Sequence, residues 1–320
     1  MPFENIIGQT TAVRSLENMI SQGHVRGSFL FLGPDGVGKR TTGIEFAKAI
    51  NCEKMKEGCR CASCKKIDSG NHPDAFIIEP EGSSISIRIE KIRDIIYQAS
   101  LKPYEARKRV FIINDAEDMT DEAQNALLKV LEEPPENHIL ILIASNISGL
   151  LPTVLSRCKV LKFYSLTQGQ IQEFLQQEDI DEKDSSLFSH MAMGSIGRAM
   201  EFIDNDIITR RDEVVNNFFL RKSALLRESV LKEEGSRDTE ESLYMLLCWY
   251  RDLLVSKFTK EDSVLLNIDR AIEISSYGSR FTKEKLEKDL LNIITTIDYI
   301  RRNVNPKIAL FNMAVELKRG

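Results

Sequence analysis

The fold is decided by residues 27–50, which read GSFLFLGPDGVGKRTTGIEFAKAI. The first six residues are a short apolar run, Gly33 to Lys39 form a glycine-rich turn, and helical apolar spacing follows from Thr41 to Ile50. A strand, a glycine-rich loop and a helix in this order predict a phosphate-binding loop. Its glycines let backbone N–H groups surround phosphate oxygens, and the helix N-terminus adds partial positive charge.

The residue after the loop lysine departs from the pattern of an active ATPase. Lys39 is placed to reach the β and γ phosphates of a nucleotide, but the position that should hold a Mg²⁺-binding Ser or Thr is Arg40. Thr41 comes one residue later and therefore points about 100° away around the helix. The candidate nucleotide contacts are Gly33, Gly36, Gly38, Lys39, Arg40 and Thr41. Binding of ATP or ADP with a doubtful Mg²⁺, or a relic loop that binds nothing, both stay open.

Three more apolar runs alternate with helical patterns. They cover Asp74–Ile78, Arg109–Ile113 and Ile139–Ala144. Continuous apolar strands separated by helices indicate a parallel sheet that is covered on both faces, so the first half is predicted to be a three-layered α/β fold. Before the last strand, Thr120 is expected to cap a helix that ends at Pro134.

The end of the third strand carries a second departure from an ATPase. A working site places Asp there for Mg²⁺ and usually Glu beside it for the attacking water, whereas this chain has Asn114 and Asp115. Asn lacks the charge that offsets Mg²⁺, and Asp is one methylene shorter than Glu. Weak or absent hydrolysis is therefore predicted, although Asp115 alone is equally compatible with a solvated carboxylate at a strand end.

A cluster of cysteines predicts a metal site. Cys52, Cys59, Cys61 and Cys64 fall within thirteen residues, and four thiolates can close a tetrahedral, structural Zn²⁺ site. The alternative is a group of reduced or fortuitously paired thiols. His72 is a possible competing ligand, but its place before Pro73 favours a loop residue.

Length and composition limit the remaining possibilities. A chain of 320 residues suits two or three domains, and 42% hydrophobic with 28% charged residues is typical of a globular protein. No run approaches the roughly 18 apolar residues of a membrane span, and the N-terminus lacks a secretion signal, which makes a cytoplasmic location the default. The net charge of −5 disfavours a chain that grips DNA by itself.

The second half has a different character. After about Tyr164 strand patterns give way to helical ones, with long amphipathic examples at 243–258 and 286–300. We therefore predict an α/β core over 1–164 with the zinc module at about 52–64, a small helical domain over 165–204, and a helical domain over 205–320.

Several stretches together resemble the bacterial clamp-loader ATPases of the AAA+ class. Besides the phosphate loop and the cysteine insert, they are Phe3–Gln9, Gly70–Asp74, Asn125–Pro135, Ser156-Arg157-Cys158 and Asn303–Leu310. The resemblance implies an AAA+ core of RecA-like type, a helical lid and an all-α collar that joins five subunits into a ring. Because Arg40 and Asn114 depart from the gamma/tau motor pattern, the chain is more similar to delta-prime subunits; a gamma/tau-like motor is the alternative.

The resemblance also implies residue roles and partners. On composition alone Arg157 is a surface salt-bridge residue, but in this class it is an arginine finger that acts in trans on ATP bound by a neighbouring motor subunit. Further candidate nucleotide contacts are Ile7, Gly8 and Gln9 at the adenine edge, Asp115, and Asn146 near the first sensor. No second-sensor role is assigned to Arg198, because this arginine comes one residue later in the sequence than in the motor subunit. The implied partners are gamma/tau and delta subunits in a hetero-pentameric ring, the sliding clamp, and primed DNA through the complex.

Three functions are therefore weighed. The favoured one is a partner-dependent component of a clamp-loading machine, with little or no ATPase of its own. The others are a self-sufficient ATPase, disfavoured by Arg40 and Asn114, and a zinc-bearing nucleic-acid adaptor, disfavoured by the acidic balance. Polymerase chemistry is not expected from this chain, and any such activity belongs to the DNA polymerase III holoenzyme.

Overall fold

A computed structural model describes most of the chain. The described residues are 3–54, 58–80, 86–204, 206–216, 236–302 and 304–318. Residues 55–57 of the predicted zinc module, Asn205 at the predicted start of the last domain, and Asn303 lie outside them.

A five-stranded parallel sheet organises the first half of the chain. Its strands are β1 (Gly27–Leu32), β2 (Ala75–Ile78), β3 (Arg109–Ile113), β4 (His138–Ala144) and β5 (Lys159–Lys162). They lie in the order β2-β3-β4-β1-β5, with every neighbouring pair parallel. All residues of β3 and β4 are buried, as expected for central strands covered on both faces.

Helices cover both faces of this sheet. They are α1 (Thr10–Ser21), α2 (Lys39–Asn51), α3 (Ala62–Asp68), α4 (Ile89–Ser100), α5 (Asp121–Glu132) and the short α6 (Pro152–Leu155). Phe29 and Phe31 of β1 pack into one apolar core with Phe46 of α2. Leu30, which points the other way, packs into a second core with Leu127 of α5. The predicted three-layered α/β core is thereby confirmed.

The cap of α5 has a clear sequence signal, whereas strand β5 has a weak one. Thr120 caps α5 as expected, because its Oγ1 accepts a hydrogen bond from the N–H of Ala123 at 3.3 Å. Strand β5 was not predicted. It is a four-residue edge strand in which only Leu161 is buried, so it lacks the continuous apolar run of the central strands.

A buried ion pair joins the starts of β2 and β3. Asp74 is fully buried, and its carboxylate accepts hydrogen bonds from Arg109 Nε at 2.9 Å and Nη2 at 2.7 Å. The backbone N–H groups of Tyr104, Glu105 and Ala106 donate to the same carboxylate at 2.8–2.9 Å. Asp74 therefore fixes the loop that leads from α4 into β3.

The chain divides into two compact units. The first comprises residues 1–170 and 194–197, and the second comprises 171–193 and 198–320. The later helices are α7 (Gln168–Gln177), α8 (Glu182–Met191), α9 (Ile196–Asp204), α10 (Ile207–Val215), α11 (Ser236–Val255), α12 (Ala271–Gly278), α13 (Lys283–Arg301) and α14 (Pro306–Lys318). The division into three domains at 164 and 204 stays a prediction. Within the described ranges, no helix has the length and apolar character that crossing a membrane requires.

Candidate functional site

The phosphate loop has the backbone form that its sequence predicts. It leaves β1 and enters α2 at Lys39, with Gly36 and Gly38 in the left-handed region at φ of +68° and +96°. Glycine adopts these angles without steric cost, whereas other residues are strained there. The sequence thus places a glycine-rich concavity at the N-terminus of α2, at the carboxyl edge of the sheet where parallel α/β folds bind ligands.

Lys39 is turned inward onto its own loop. Its Nζ donates to the carbonyl oxygens of Gly33 and of Pro34, the latter at 2.7 Å, and lies 3.5 Å from Asp35 Oδ1. The side chain is only 6% exposed, and burial lowers the pKa of its ammonium. A nucleotide phosphate would have to displace these internal hydrogen bonds before it could contact Lys39.

The middle of the loop is covered by residues 194–197. The N–H of Gly197 donates to the carbonyl of Gly36 at 2.9 Å. A Cβ added to Gly36 would collide with Ser195 Oγ, which shows how closely this segment approaches the loop. The hydrogen bond from Gly197 therefore occupies the carbonyl of Gly36, and the segment lies close to this part of the loop.

The two residues that follow Lys39 do not complete a magnesium site. Arg40 Nε lies 3.1 Å from Glu79 Oε1, just beyond β2, and Arg40 is half exposed. Thr41 is exposed, and the hydroxyl of the next residue, Thr42, donates to the carbonyl of Gly38 at 2.8 Å. The position that should offer a metal-binding hydroxyl instead carries Arg40, whose guanidinium forms an ion pair with Glu79.

The ends of β3 and β4 form an acidic, hydrogen-bonded edge next to the loop. Asn114 Nδ2 donates to Asp115 Oδ2 at 2.8 Å, and Asp115 has a left-handed backbone with φ of +49°. Burial, and then the charge of Glu117, raises the pKa of Asp115. Burial and Glu117 also raise the pKa of Asp118 to about 6. An amide stands where a metal-binding carboxylate would be, so this edge fits Mg²⁺ poorly.

Glu117 connects the two strand ends. Its Oε1 accepts hydrogen bonds from the Ser145 hydroxyl and from the Ser145 N–H, the latter at 2.7 Å. The neighbouring Asn146 is exposed; its Oδ1 accepts from the N–H of Ser148 at 2.9 Å, and its Nδ2 donates to Ser145 Oγ at 3.1 Å. Asn146 is therefore engaged in its own turn.

The predicted adenine edge is built around a buried amide. Gln9 Nε2 donates to the carbonyls of Tyr164 at 2.8 Å and Val37 at 3.3 Å, and Gln9 Oε1 accepts from the N–H of Tyr164 at 3.0 Å. Ile7 is half-buried and Gly8 is exposed. The Gln9 side chain thus ties the N-terminal segment to the phosphate loop. The adenine contacts of Ile7, Gly8 and Gln9 stay a prediction.

The four predicted metal ligands come together. The sulfur atoms of Cys52, Cys59, Cys61 and Cys64 all lie within 4.8 Å of one another. An ideal tetrahedral Zn²⁺ site with Zn–S distances of about 2.3 Å has sulfur atoms about 3.8 Å apart, so a slight contraction suffices. The four thiols form a closed donor set that can hold a metal ion.

The pKa values of two of these thiols differ in direction. A hydrogen bond from the backbone N–H of Cys64 lowers the pKa of Cys61 to about 6. Burial raises the pKa of Cys64. A bound cation favours thiolates, so metal binding would lower the pKa values of both thiols.

The cysteine module is anchored to the sheet by polar contacts. His72 is buried and close to the module, with Nε2 at 3.2 Å from Ser63 Oγ and Nδ1 accepting from the N–H of Asp74 at 3.0 Å. Lys48 of α2 lies 2.9 Å from Asp68 of α3. Both ring nitrogens of His72 thus have hydrogen-bond partners, which agrees with its interpretation as a loop residue.

Arg157 stands on the surface beyond α6. Its Nη1 donates to the carbonyl of Thr153 at 3.0 Å, and its Nε and Nη2 lie 3.3 and 3.2 Å from Glu132 Oε2. The Arg157 side chain is 30% exposed. A molecule that docks on this face can therefore reach the guanidinium.

Arg198 is held within the second unit. Its Nη1 donates to the hydroxyl of Tyr244 at 3.0 Å, and its guanidinium stacks 4.2 Å from the centre of the Tyr244 ring. The Tyr244 hydroxyl in turn donates to the carbonyl of Met191 at 3.0 Å. A cation–π contact of this kind accounts for Arg198 structurally.

Sequence reasoning missed three participants in this region. Two of them are acidic residues. Glu132 lies inside the stretch Asn125–Pro135, and Glu117 lies two residues after Asp115. The third is the segment 194–197, whose contact with Gly36 depends on a tertiary approach that local sequence does not encode.

Comparison with known proteins identifies similar chains. The family model described as DNA polymerase III, delta subunit, matches residues 8–167. DNA polymerase III subunit delta' of Bacillus subtilis (strain 168) is 29% identical over 98% of this chain and 97% of its own length. DNA polymerase III subunit gamma of Buchnera aphidicola subsp. Acyrthosiphon pisum (strain APS) is 30% identical, over 73% of this chain and 69% of its own.

A solved structure of a DNA polymerase III gamma subunit-related protein from Thermotoga maritima aligns with a TM-score of 0.45 and 21% identity, over 95% of this chain and 99% of that one. The family match and the two relatives establish the assignment. The chain belongs to the DNA polymerase III delta-subunit family.

Proposed function

We propose that this chain acts as a delta-prime subunit of the replicative clamp loader. Together with gamma/tau and delta subunits in a hetero-pentameric ring, it helps to load the sliding clamp onto primed DNA in the cytoplasm. Its own ATPase activity is weak or absent, and it supplies Arg157 in trans to ATP on a neighbouring motor subunit. The family membership supports the assignment to a clamp loader.

One observation carries the finer part of the proposal. The same chain combines a closed phosphate loop with an arginine that is accessible on the surface. Lys39 is 6% exposed and bonded to its own loop, whereas Arg157 is 30% exposed beyond α6. This combination suits a subunit that assists hydrolysis elsewhere better than one that carries it out.

The proposal includes a structural Zn²⁺ held by Cys52, Cys59, Cys61 and Cys64. The bound ion would cross-link the end of α2 to α3 without an open coordination position, so it would add rigidity and no catalysis. The proposal also assigns residues 165–204 to a lid and 205–320 to a collar that joins the ring.

The test is ATP hydrolysis by the clamp-loader complex reconstituted from purified subunits. Arg157→Ala is expected to remove the turnover of the neighbouring ATP site, because an arginine finger contributes roughly 10³–10⁵ to the rate at its site. The variant is expected to keep its melting temperature and its place in the complex, since Arg157 lies on the surface. Wild-type turnover by a correctly assembled variant complex contradicts the proposal.

A further inference from the structure

The contact between Arg157 and Glu132 is the starting point for a second residue role. Glu132 is the last residue of α5, and its Oε2 accepts hydrogen bonds from Nε and Nη2 of Arg157 at 3.3 and 3.2 Å. These two donors lie on one edge of the planar guanidinium. A carboxylate oxygen shared by both donors restrains the position of this edge of the guanidinium.

A third partner completes the restraint. Arg157 Nη1 donates to the carbonyl of Thr153 at 3.0 Å, and the same nitrogen lies 3.5 Å from Ser156 Oγ. Of the five N–H groups of an arginine, these contacts leave the second hydrogen of Nη2 without an acceptor among the described residues. These contacts hold the guanidinium and leave one free N–H donor on Nη2, which we call the outer donor.

The backbone that carries Glu132 is itself well fixed. Leu131 beside it is 3% exposed in the core below α5, and the N–H of Glu133 closes the helix by donating to the carbonyl of Lys129 at 3.1 Å. Pro134 then prevents the helix from continuing. Glu132 therefore offers its carboxylate from a defined place, although the side chain is 61% exposed.

We propose that Glu132 is a positioning residue for Arg157: it holds the guanidinium in the orientation in which its outer donor meets the γ-phosphate of ATP on the neighbouring subunit. The inference rests on the proposed function, because it requires Arg157 to act in trans. Glu132 itself does not touch the nucleotide. It acts by ordering a long side chain before the neighbour arrives, so that less conformational freedom is lost when the contact forms.

The experiment measures ATP hydrolysis by the reconstituted complex with full-length chains. The relevant quantity is the Arg157-dependent turnover, which is the wild-type rate minus the rate with Arg157→Ala. Glu132→Gln is expected to lower it roughly two- to tenfold, which is the value of pre-ordering one long side chain. Glu133→Gln, the matched control, removes the same charge from the next residue and is expected to leave the rate unchanged.

A double variant separates positioning from a general structural effect. If Glu132 acts through Arg157, adding Glu132→Gln to Arg157→Ala lowers the rate no further. Both single variants are expected to keep the wild-type melting temperature, because the ion pair is exposed.

Other results would contradict either the positioning role of Glu132 or the proposed function. If Arg157→Ala lowers turnover but Glu132→Gln equals or exceeds the wild type, the positioning role is overturned and the proposed function stands. It is also overturned if Glu132→Gln lowers the rate in the Arg157→Ala background. If Arg157→Ala itself has no effect, the proposed function falls and this inference with it.

Discussion

Replacing Asp74 with Asn is expected to destabilise the first unit by about 3–5 kcal/mol, the usual cost of removing one partner from a buried ion pair. Asp74 is fully buried and faces Arg109, which is 5% exposed, at 2.7 Å. The substitution removes the negative charge and keeps the shape, so the guanidinium of Arg109 remains buried without its counter-charge. Three backbone N–H groups of the loop before β3 also lose a charged acceptor.

The same carboxylate predicts a dependence on pH. Burial by itself raises the pKa of Asp74, but hydrogen bonds from the backbone N–H groups of Glu105, Tyr104 and Ala106 and from Arg109 lower it to about 2, against an ordinary value of 3.8. A pKa that is depressed in the folded state stabilises the protein above the unfolded-state pKa. About 2.5 kcal/mol is therefore lost as the pH falls from about 4 to below 2.

The assay is urea unfolding of the full chain followed by circular dichroism at pH 7 and at intervals down to pH 2. Asp68→Asn is the matched control, because Asp68 forms a 2.9 Å ion pair with Lys48 but is 54% exposed and should contribute less than about 1 kcal/mol. The wild type should lose stability between pH 4 and 2, and Asp74→Asn should lose less over the same interval. An Asp74→Asn variant as stable as Asp68→Asn would rule out a stabilising role of the buried ion pair between Asp74 and Arg109.

Two further predictions concern the metal and the nucleotide. The purified chain is expected to contain about one Zn²⁺ and to melt at a lower temperature after chelation. The Cys64→Ser variant should lose the metal, and the control variant Cys158→Ser should keep it. A metal-free wild type whose melting temperature does not change when Zn²⁺ is added would count against the site. The isolated chain is expected to hydrolyse ATP no faster than its Lys39→Ala variant, and Mg²⁺-dependent turnover that requires Lys39 would favour the gamma/tau-like motor instead.

Most of the α/β core could be predicted because its signals are local. The continuous apolar runs of β1, β3 and β4 reflect burial on both faces of a sheet, and the Thr120 cap and Pro134 set the limits of α5. Strand β5 escaped prediction because an exposed edge strand of four residues needs no apolar pattern. Its pairing with β1 comes from the fold and not from its own composition.

In the candidate site, too, the local features could be predicted and the tertiary contacts could not. The glycines of the phosphate loop and the cysteines of the module are close in sequence, so their spacing alone indicated how they would gather. The contact of Gly197 with Gly36 and the contact of Glu132 with Arg157 join residues far apart in the chain. Such contacts depend on tertiary packing, and one sequence without its fold gives no distance between them.

We propose that this chain supplies an arginine to a neighbour's ATP and does not depend on its own phosphate loop. The most direct measurement is ATP turnover by two reconstituted complexes, one carrying Arg157→Ala and the other Lys39→Ala. A clear loss of turnover is expected with Arg157→Ala, and a wild-type rate is expected with Lys39→Ala. The reverse pattern, with turnover lost through Lys39 and kept without Arg157, would contradict it.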